Sequence, residues 1–167
     1  LGGSGTDALH ITNVDGAAAT VDDQVGIESI VILDGTAGAD STLTLTYTSA
    51  NTTAITIDAS ALDAGEDFTF VGTDGEVDGV ITITAGGGTN SISTGDGADI
   101  ITGGYGVDVI NGGGGNDEIN AGAGNDTITG GVGADIIDGE AGTDTYVTSS
   151  TQVAANIEGA GTGTSTG

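Results

Sequence analysis

The sequence contains no lysine and no arginine but 25 acidic residues, so its formal net charge is −25. Without cationic side chains the chain cannot neutralise a nucleic-acid backbone or be held on an anionic membrane surface. Cysteine, methionine, tryptophan and proline are absent too. The lack of cysteine excludes disulfides, thiolate metal sites and thiol catalysis. The expected partners are therefore cations, and a bound metal would have to prefer oxygen ligands.

Long apolar segments and catalytic motifs are also missing. No apolar run approaches the ~18–20 residues of a membrane span, and no basic-then-apolar signal segment opens the chain. There is no G-x-S-x-G or H-E-x-x-H motif, and His10 has no second histidine or cysteine with which to bind zinc. The sequence thus predicts a protein that is not an enzyme. Since it starts at Leu1 and lacks methionine, we expect a piece of a longer or processed protein.

What the sequence does have is 34 glycines, many of which recur in a nine-residue pattern over residues 94–147. The consecutive units are TGDGADIIT, GGYGVDVIN, GGGGNDEIN, AGAGNDTIT, GGVGADIID and GEAGTDTYV. Position four is always glycine, position six is always aspartate, and position eight is isoleucine or, in the last unit, Tyr146. A weaker unit at 85–93 has Asn90 at position six, and an isolated unit at 2–10 has Asp7 there.

Each unit has the composition of a turn followed by a short strand. The glycines allow positive φ and a close approach of the backbone to an ion, while position eight directs an apolar side chain inward. If nine residues form half a coil, two units complete a coil of 18 residues and the position-six side chains stack in two rows. One row contains Asp99, Asp117 and Asp135. The other contains Asn90, Asp108, Asp126 and Asp144.

Stacked carboxylates require a cation between them. Strands of adjacent coils lie ~4.8 Å apart, where two carboxylates repel by roughly 3 kcal/mol at an effective dielectric constant of ~20. Ca²⁺ accepts carboxylate and carbonyl oxygens, whereas Mg²⁺ demands tighter octahedral geometry. Neighbouring aspartates define sites at 99/117, 117/135, 108/126 and 126/144, with a weaker one at 90/108. We therefore expect four to five Ca²⁺ ions, whose binding supplies folding energy.

These units resemble the G-G-x-G-x-D-x-U-x repeats of the RTX family, the haemolysin-type calcium-binding proteins. The resemblance implies an all-β fold: a right-handed parallel β-roll, or β-solenoid, with calcium in its turns. Its metal-binding residues would be Asp99, Asp108, Asp117, Asp126, Asp135, Asp144, Asn90, Gly97, Gly106, Gly115, Gly124, Gly133 and Asp7. The units depart from the family pattern where Thr94, Ala121 and Glu140 replace glycine at positions one, one and two.

Outside the roll the sequence predicts additional β-strands and no helix. We divide the chain into a single RTX-like unit (1–10), a β-rich segment (11–84), the calcium roll (85–147) and a Ser/Thr/Gly-rich linker or tail (148–167). The β-rich segment could be further solenoid or a sandwich-like insertion. It includes a degenerate unit at 35–43. Residues 74–85 imitate the start of an EF-hand but have Ala85 in place of the bidentate glutamate, which favours a hairpin turn.

The predicted function is that of a non-catalytic calcium-binding module of a secreted bacterial protein at the cell surface. The absence of Lys and Arg, with Thr- and Gly-rich β-structure outside the repeats, resembles RTX-type surface-layer proteins, which favours self-association of identical subunits into a layer or filament. The alternatives are the C-terminal calcium-dependent domain of a type I-secreted enzyme or toxin, and an adhesin stalk. The resemblance also implies a C-terminal secretion signal, which we expect beyond Gly167.

Overall fold

The computed structural model describes residues 7–12, 18–21, 27–33, 41–47, 54–72, 79–147 and 154–158. Residues 35–40 of the degenerate unit, 74–78 of the EF-hand-like segment and 2–6 of the isolated unit lie outside the described residues. The strands on either side of the EF-hand-like segment, Glu66–Gly72 and Ile81–Thr84, lie in different parallel sheets, so the hairpin turn predicted there is wrong. No helix in the described part of the chain is long and apolar enough to cross a membrane.

In the part of the chain that the structure describes, fifteen strands alternate between two parallel sheets. The eight-stranded sheet contains, in spatial order, β1 (Ala8–Thr12), β3 (Ser29–Leu33), β5 (Ile55–Asp58), β7 (Ile81–Thr84), β9 (Ile100–Thr102), β11 (Glu118–Asn120), β13 (Ala134–Asp138) and β15 (Ala154–Glu158). The seven-stranded sheet contains β2 (Ala18–Val21), β4 (Ser41–Tyr47), β6 (Glu66–Gly72), β8 (Ser91–Ser93), β10 (Val109–Gly114), β12 (Thr127–Val132) and β14 (Thr145–Val147). Because odd strands occupy one sheet and even strands the other, the chain winds as a parallel β-solenoid. The predicted fold class is confirmed.

The repeat sets the length of a coil. Ile101 is in register with Ile119, and Ile119 with Ile137, so each coil of the roll takes 18 residues. Upstream, the registered pair Ile57 and Ile83 is separated by 26 residues. The strands before the roll thus join the same two sheets, although their coils are longer and irregular.

Position eight forms the core of the roll. In one sheet the stacked side chains are Ile101, Ile119 and Ile137, and in the other they are Ile92, Ile110, Ile128 and Tyr146. All are at most 4 % exposed. Every coil therefore buries one apolar residue per strand, which removes apolar surface from water and aligns successive coils.

Strands β3–β7 bury two apolar residues each, where the repeat strands bury one. Ile81 and Ile83 point inward from β7, and Phe68 and Phe70 point inward from β6. In the next coil the places of Ile81 and Phe68 are taken by position-six residues, because the backbone N–H of each donates to the side chain of Asp99 and Asn90, respectively. The position-six side chains thus occupy sites that are apolar elsewhere in the solenoid.

The segment 148–167, predicted as a linker or tail, contains strand β15. This strand pairs in parallel with β13, and Ile157 is in register with Ile137. The low apolar content around Ile157 gave no strand pattern in the sequence, yet its place one coil after Ile137 continues the solenoid.

Positive φ angles recur at two positions of the unit. At position two the glycines have φ between 94° and 105°, and at position four between 99° and 157°. Side chains with a Cβ rarely adopt this conformation. Glu140, at position two of the last unit, has φ of 59° and is the one non-glycine residue with positive φ in the described part of the chain.

Glu140→Gly is expected to stabilise the roll by about 0.5–1 kcal/mol, because relief of a left-handed backbone outweighs the entropy cost of glycine. The side chain lost makes an exposed hydrogen bond from Asn120 Nδ2 to Glu140 Oε1 (2.9 Å), which contributes little. Thermal unfolding in saturating calcium measures the change. Glu140→Gln is the control, since it removes the charge and keeps the backbone strain; a glycine variant less stable than this control would contradict the prediction.

Candidate metal centre

The six position-six aspartates form two rows of hydrogen-bonded carboxylates. In the first row, Asp99 N–H donates to Asp117 Oδ1 (2.9 Å) and Asp117 N–H to Asp135 Oδ1 (3.1 Å). In the second row, the N–H groups of Asp108 and Asp126 donate in the same way to the next aspartate, at 2.8 and 3.1 Å. All six side chains are at most 1 % exposed. The 18-residue coil therefore places each carboxylate directly against the backbone of the previous one.

The second carboxylate oxygen of most of these aspartates has no hydrogen-bond partner. In the described part of the chain these buried, unpaired atoms are the Oδ2 atoms of Asp99, Asp108, Asp117, Asp126 and Asp144. A buried polar atom without a partner costs roughly 1–3 kcal/mol, and more if it is charged. The unpaired oxygens recur along both rows and are hard ligands, so the donor set fits an oxygen-preferring cation such as Ca²⁺.

Position-one glycines make room for these oxygens. A Cβ atom at Gly103 would lie 2.7 Å from Asp108 Oδ2, and a Cβ at Gly112, Gly130 or Gly139 would also collide with the carboxylate of its own unit. None of these four glycines has positive φ, so it is the close approach of the carboxylate and not the backbone conformation that favours glycine in these units. Where Thr94 takes this position, its hydroxyl donates to the carbonyl oxygen of Gly112 (2.8 Å).

Position-four glycines stack along the solenoid axis beside the rows. Gly97, Gly115 and Gly124 each donate their N–H to a position-three carbonyl of the next coil, at 2.8 Å. Their own carbonyl oxygens face the next coil's position-four glycine, where any Cβ would collide with them. The carbonyl oxygen of each position-four glycine thus lies in the turn, two residues before the aspartate of the same unit. The two further predicted position-four residues, Gly106 and Gly133, belong to the same two stacks.

Burial makes four of these carboxylates hard to ionise without a cation. Desolvation, together with the negative charges of the neighbouring aspartates, raises the pKa of Asp108 and of Asp117 to about 7, against the effect of backbone hydrogen bonds. Desolvation also raises the pKa of Asp99 and of Asp126. A cation between the carboxylates would reverse this effect, since it favours the charged form.

Asn90 is bonded differently from the aspartates below it. Its Oδ1 accepts the N–H of Phe68 (3.2 Å). Its Nδ2 donates to Asp108 Oδ1 (3.0 Å), to the carbonyl oxygen of Gly88 (3.0 Å) and to that of Gly103 (3.1 Å). The side chain is fully buried. An amide nitrogen therefore lies among three oxygens at the start of the second row.

The model of the RTX calcium-binding nonapeptide repeat, which spans four copies, matches residues 84–119 and again 112–146. The roll consists of RTX repeats. Comparison with curated proteins and with solved structures gave no significant match.

RTX repeats bind Ca²⁺, and the roll they form is a structural module. The match starts where the coils acquire their 18-residue length and ends at the last inward residue of the roll, Tyr146. Strands β1–β6 lie outside it. In the described part of the chain no three His, Cys, Asp or Glu side chains gather around one point.

Asp7 lies outside the RTX match and away from the six aspartates. Its N–H donates to Glu28 Oε2 (2.7 Å), and its carbonyl oxygen accepts the N–H groups of Glu28 and Ser29. This repeats the pattern of the rows, in which a backbone N–H donates to the carboxylate one coil later. The sequence gave no signal for Glu28, because it is separated from Asp7 by 21 residues and not by 18.

Proposed function

We propose that the RTX roll binds four to five calcium ions between stacked carboxylates. The observation that carries this proposal is the set of five buried carboxylate oxygens without hydrogen-bond partners, one at nearly every step of both rows. The pairs 99/117 and 117/135 would hold ions in one row, and 108/126 and 126/144 in the other. Carbonyl oxygens of the position-four glycines, Gly97, Gly106, Gly115, Gly124 and Gly133, would contribute further ligands.

Calcium would neutralise the buried carboxylates and hold adjacent coils together. Within this proposal, residues 85–147 are the metal-dependent part of the chain, and residues 11–84 are a scaffold stabilised by its own core. The larger inward side chains of the upstream strands, such as Phe68, Phe70, Leu43 and Leu45, support this division. The strands of the roll lack a second buried apolar side chain, because their other inward position is an aspartate.

We further propose that the whole protein is a secreted, non-catalytic structural subunit that self-associates at the cell surface. Proteins with RTX repeats are typically secreted. Among the described strands, β2 and β14 end one sheet and β1 and β15 end the other, so parallel edges face along the axis at both ends of the solenoid. Such edges accept additional strands. With a net charge of −25, copies would repel unless calcium lay between them.

Negative-stain electron microscopy of the full chain in millimolar calcium and in excess chelator tests the assembly proposal. We expect ordered sheets or filaments in calcium that disperse on chelation. Dispersed particles in both conditions would contradict self-assembly and would favour a calcium-folded accessory of a secreted enzyme, toxin or adhesin. Calcium binding to dispersed particles would leave the proposal for the roll intact.

A further inference from the structure

We infer that Asn90 closes the second calcium row with its amide nitrogen and does not bind calcium. The inference rests on the proposed calcium sites and concerns where they stop. It replaces the sequence expectation of a fifth ion at 90/108, so that the roll holds four ions.

The orientation of the Asn90 amide is determined by its surroundings. Oδ1 faces a donor, the N–H of Phe68, and Nδ2 faces three acceptors: the carbonyl oxygens of Gly88 and Gly103 and the carboxylate of Asp108. The reversed amide would bring its oxygen against all three acceptors and its nitrogen against a donor. The hydrogen-bond network therefore assigns Nδ2 to the position between the two coils.

The three acceptors are defined by their places in the repeat. Gly88 is position four of the same unit, Gly103 is position one of the unit one coil later, and Asp108 is that unit's position six. At the next step of the row the residues at the same repeat positions are Gly106, Ala121 and Asp126, and Asp108 takes the place of Asn90. There the position-six residue is a carboxylate with no hydrogen to donate, and its Oδ2 is unpaired.

The amide nitrogen of Asn90 thus takes the place that an unpaired Oδ2 has in Asp108. It donates toward the carbonyl oxygens of Gly88 and Gly103 and toward Asp108 Oδ1, which also accepts the backbone N–H of Asn90 (2.8 Å). These three oxygens are the ones that an ion at 90/108 would need. Calcium would have to displace these hydrogen bonds and lie against an N–H₂ group. A neutral side chain is also favoured at this position, because the residue stacked on Asn90 one coil earlier is Phe68, which belongs to the apolar core.

Asn90→Asp is expected to bind one more calcium ion than the wild-type chain. The variant supplies a carboxylate at the same position and removes the donor, which converts the closed step into a site like 108/126. Calcium per chain is counted by metal analysis after equilibrium dialysis of the full chain. Asn111→Asp, on the exposed face of β10, is the control for the added charge and leaves the count unchanged. An unchanged count in a folded Asn90→Asp variant would overturn the inference.

A second pair of variants tests the inference if Asn90→Asp does not fold. With Asn90 as the end of the row, Asp108 takes part in one site and Asp126 in two. Asp108→Asn should therefore lose one ion and Asp126→Asn two. Equal losses of two ions would place an ion at 90/108 and overturn the inference. A wild-type chain that binds no calcium would instead refute the proposed function, so the two failures are distinguishable.

Discussion

Asp117→Asn is expected to remove two calcium ions from the roll, whereas Asp144→Asn removes one. Asp117 lies between Asp99 and Asp135 in its row and would serve the ions on both sides, while Asp144 is the last aspartate of its row. The asparagine can keep the oxygen that accepts the backbone N–H of the residue one coil earlier, as Asn90 Oδ1 does from Phe68. The two variants are thus matched in chemistry and differ in the number of sites they affect.

The loss should also appear in the calcium dependence of folding. We expect Asp117→Asn to need at least about tenfold more calcium than Asp144→Asn for half-maximal folding, which corresponds to about 1.4 kcal/mol for each ion taken up on folding. Equilibrium dialysis gives the ion count, and circular dichroism against free calcium gives the midpoint. Equal ion losses and equal midpoints would mean that the carboxylate rows do not define the sites.

In calcium-free buffer, acidification from pH 8 to pH 5.5 is expected to stabilise the roll. The pKa of Asp108 and of Asp117 is raised by burial from the ordinary value of 3.8 to about 7. Between these values the folded chain binds more protons than the unfolded chain, so stability falls as the pH rises. The contribution is fully present below pH ~4 and is lost as the pH passes ~7. Far-ultraviolet circular dichroism of the decalcified chain at several pH values measures this dependence as a gain of β-structure on acidification.

The combined variant Asp108→Asn, Asp117→Asn is the control for this prediction, since its stability should depend less on pH over the same range. Stability of the decalcified wild-type chain that rises with pH would contradict the burial of neutral carboxyl groups. In calcium the sign reverses, because protons compete with the metal for the same oxygens and acid weakens binding.

The repeat made much of the roll predictable. Each unit carries its own signals for turn, ion and core, so an 18-residue coil, inward position-eight residues and two aspartate rows follow from the spacing alone. The register of Ile101 with Ile119, and the hydrogen bond from Asp99 to Asp117, agree with that spacing. Because the period is fixed, the sequence alone indicates which strands of the roll pair.

The rest of the solenoid could not be predicted in this way. Coils such as that between Ile57 and Ile83 have no fixed length, so only tertiary pairing reveals that β5 and β7 adjoin. For the same reason the approach of Glu28 to Asp7 has no sequence signal. The role of Asn90 was hidden for a different reason, because an amide can act as a ligand or a donor and only its neighbours decide which.

Hydrogen exchange of the full chain, read by mass spectrometry of peptic fragments, tests most directly whether calcium holds the roll together. In millimolar calcium we expect slow exchange at the inter-coil amides of strands β9–β14, such as those of Glu118, Thr127 and Ile136, which donate to aspartate carbonyls one coil earlier. In excess chelator these amides should exchange at nearly the rate of an unfolded chain. Equal protection of this segment with and without calcium would contradict the account.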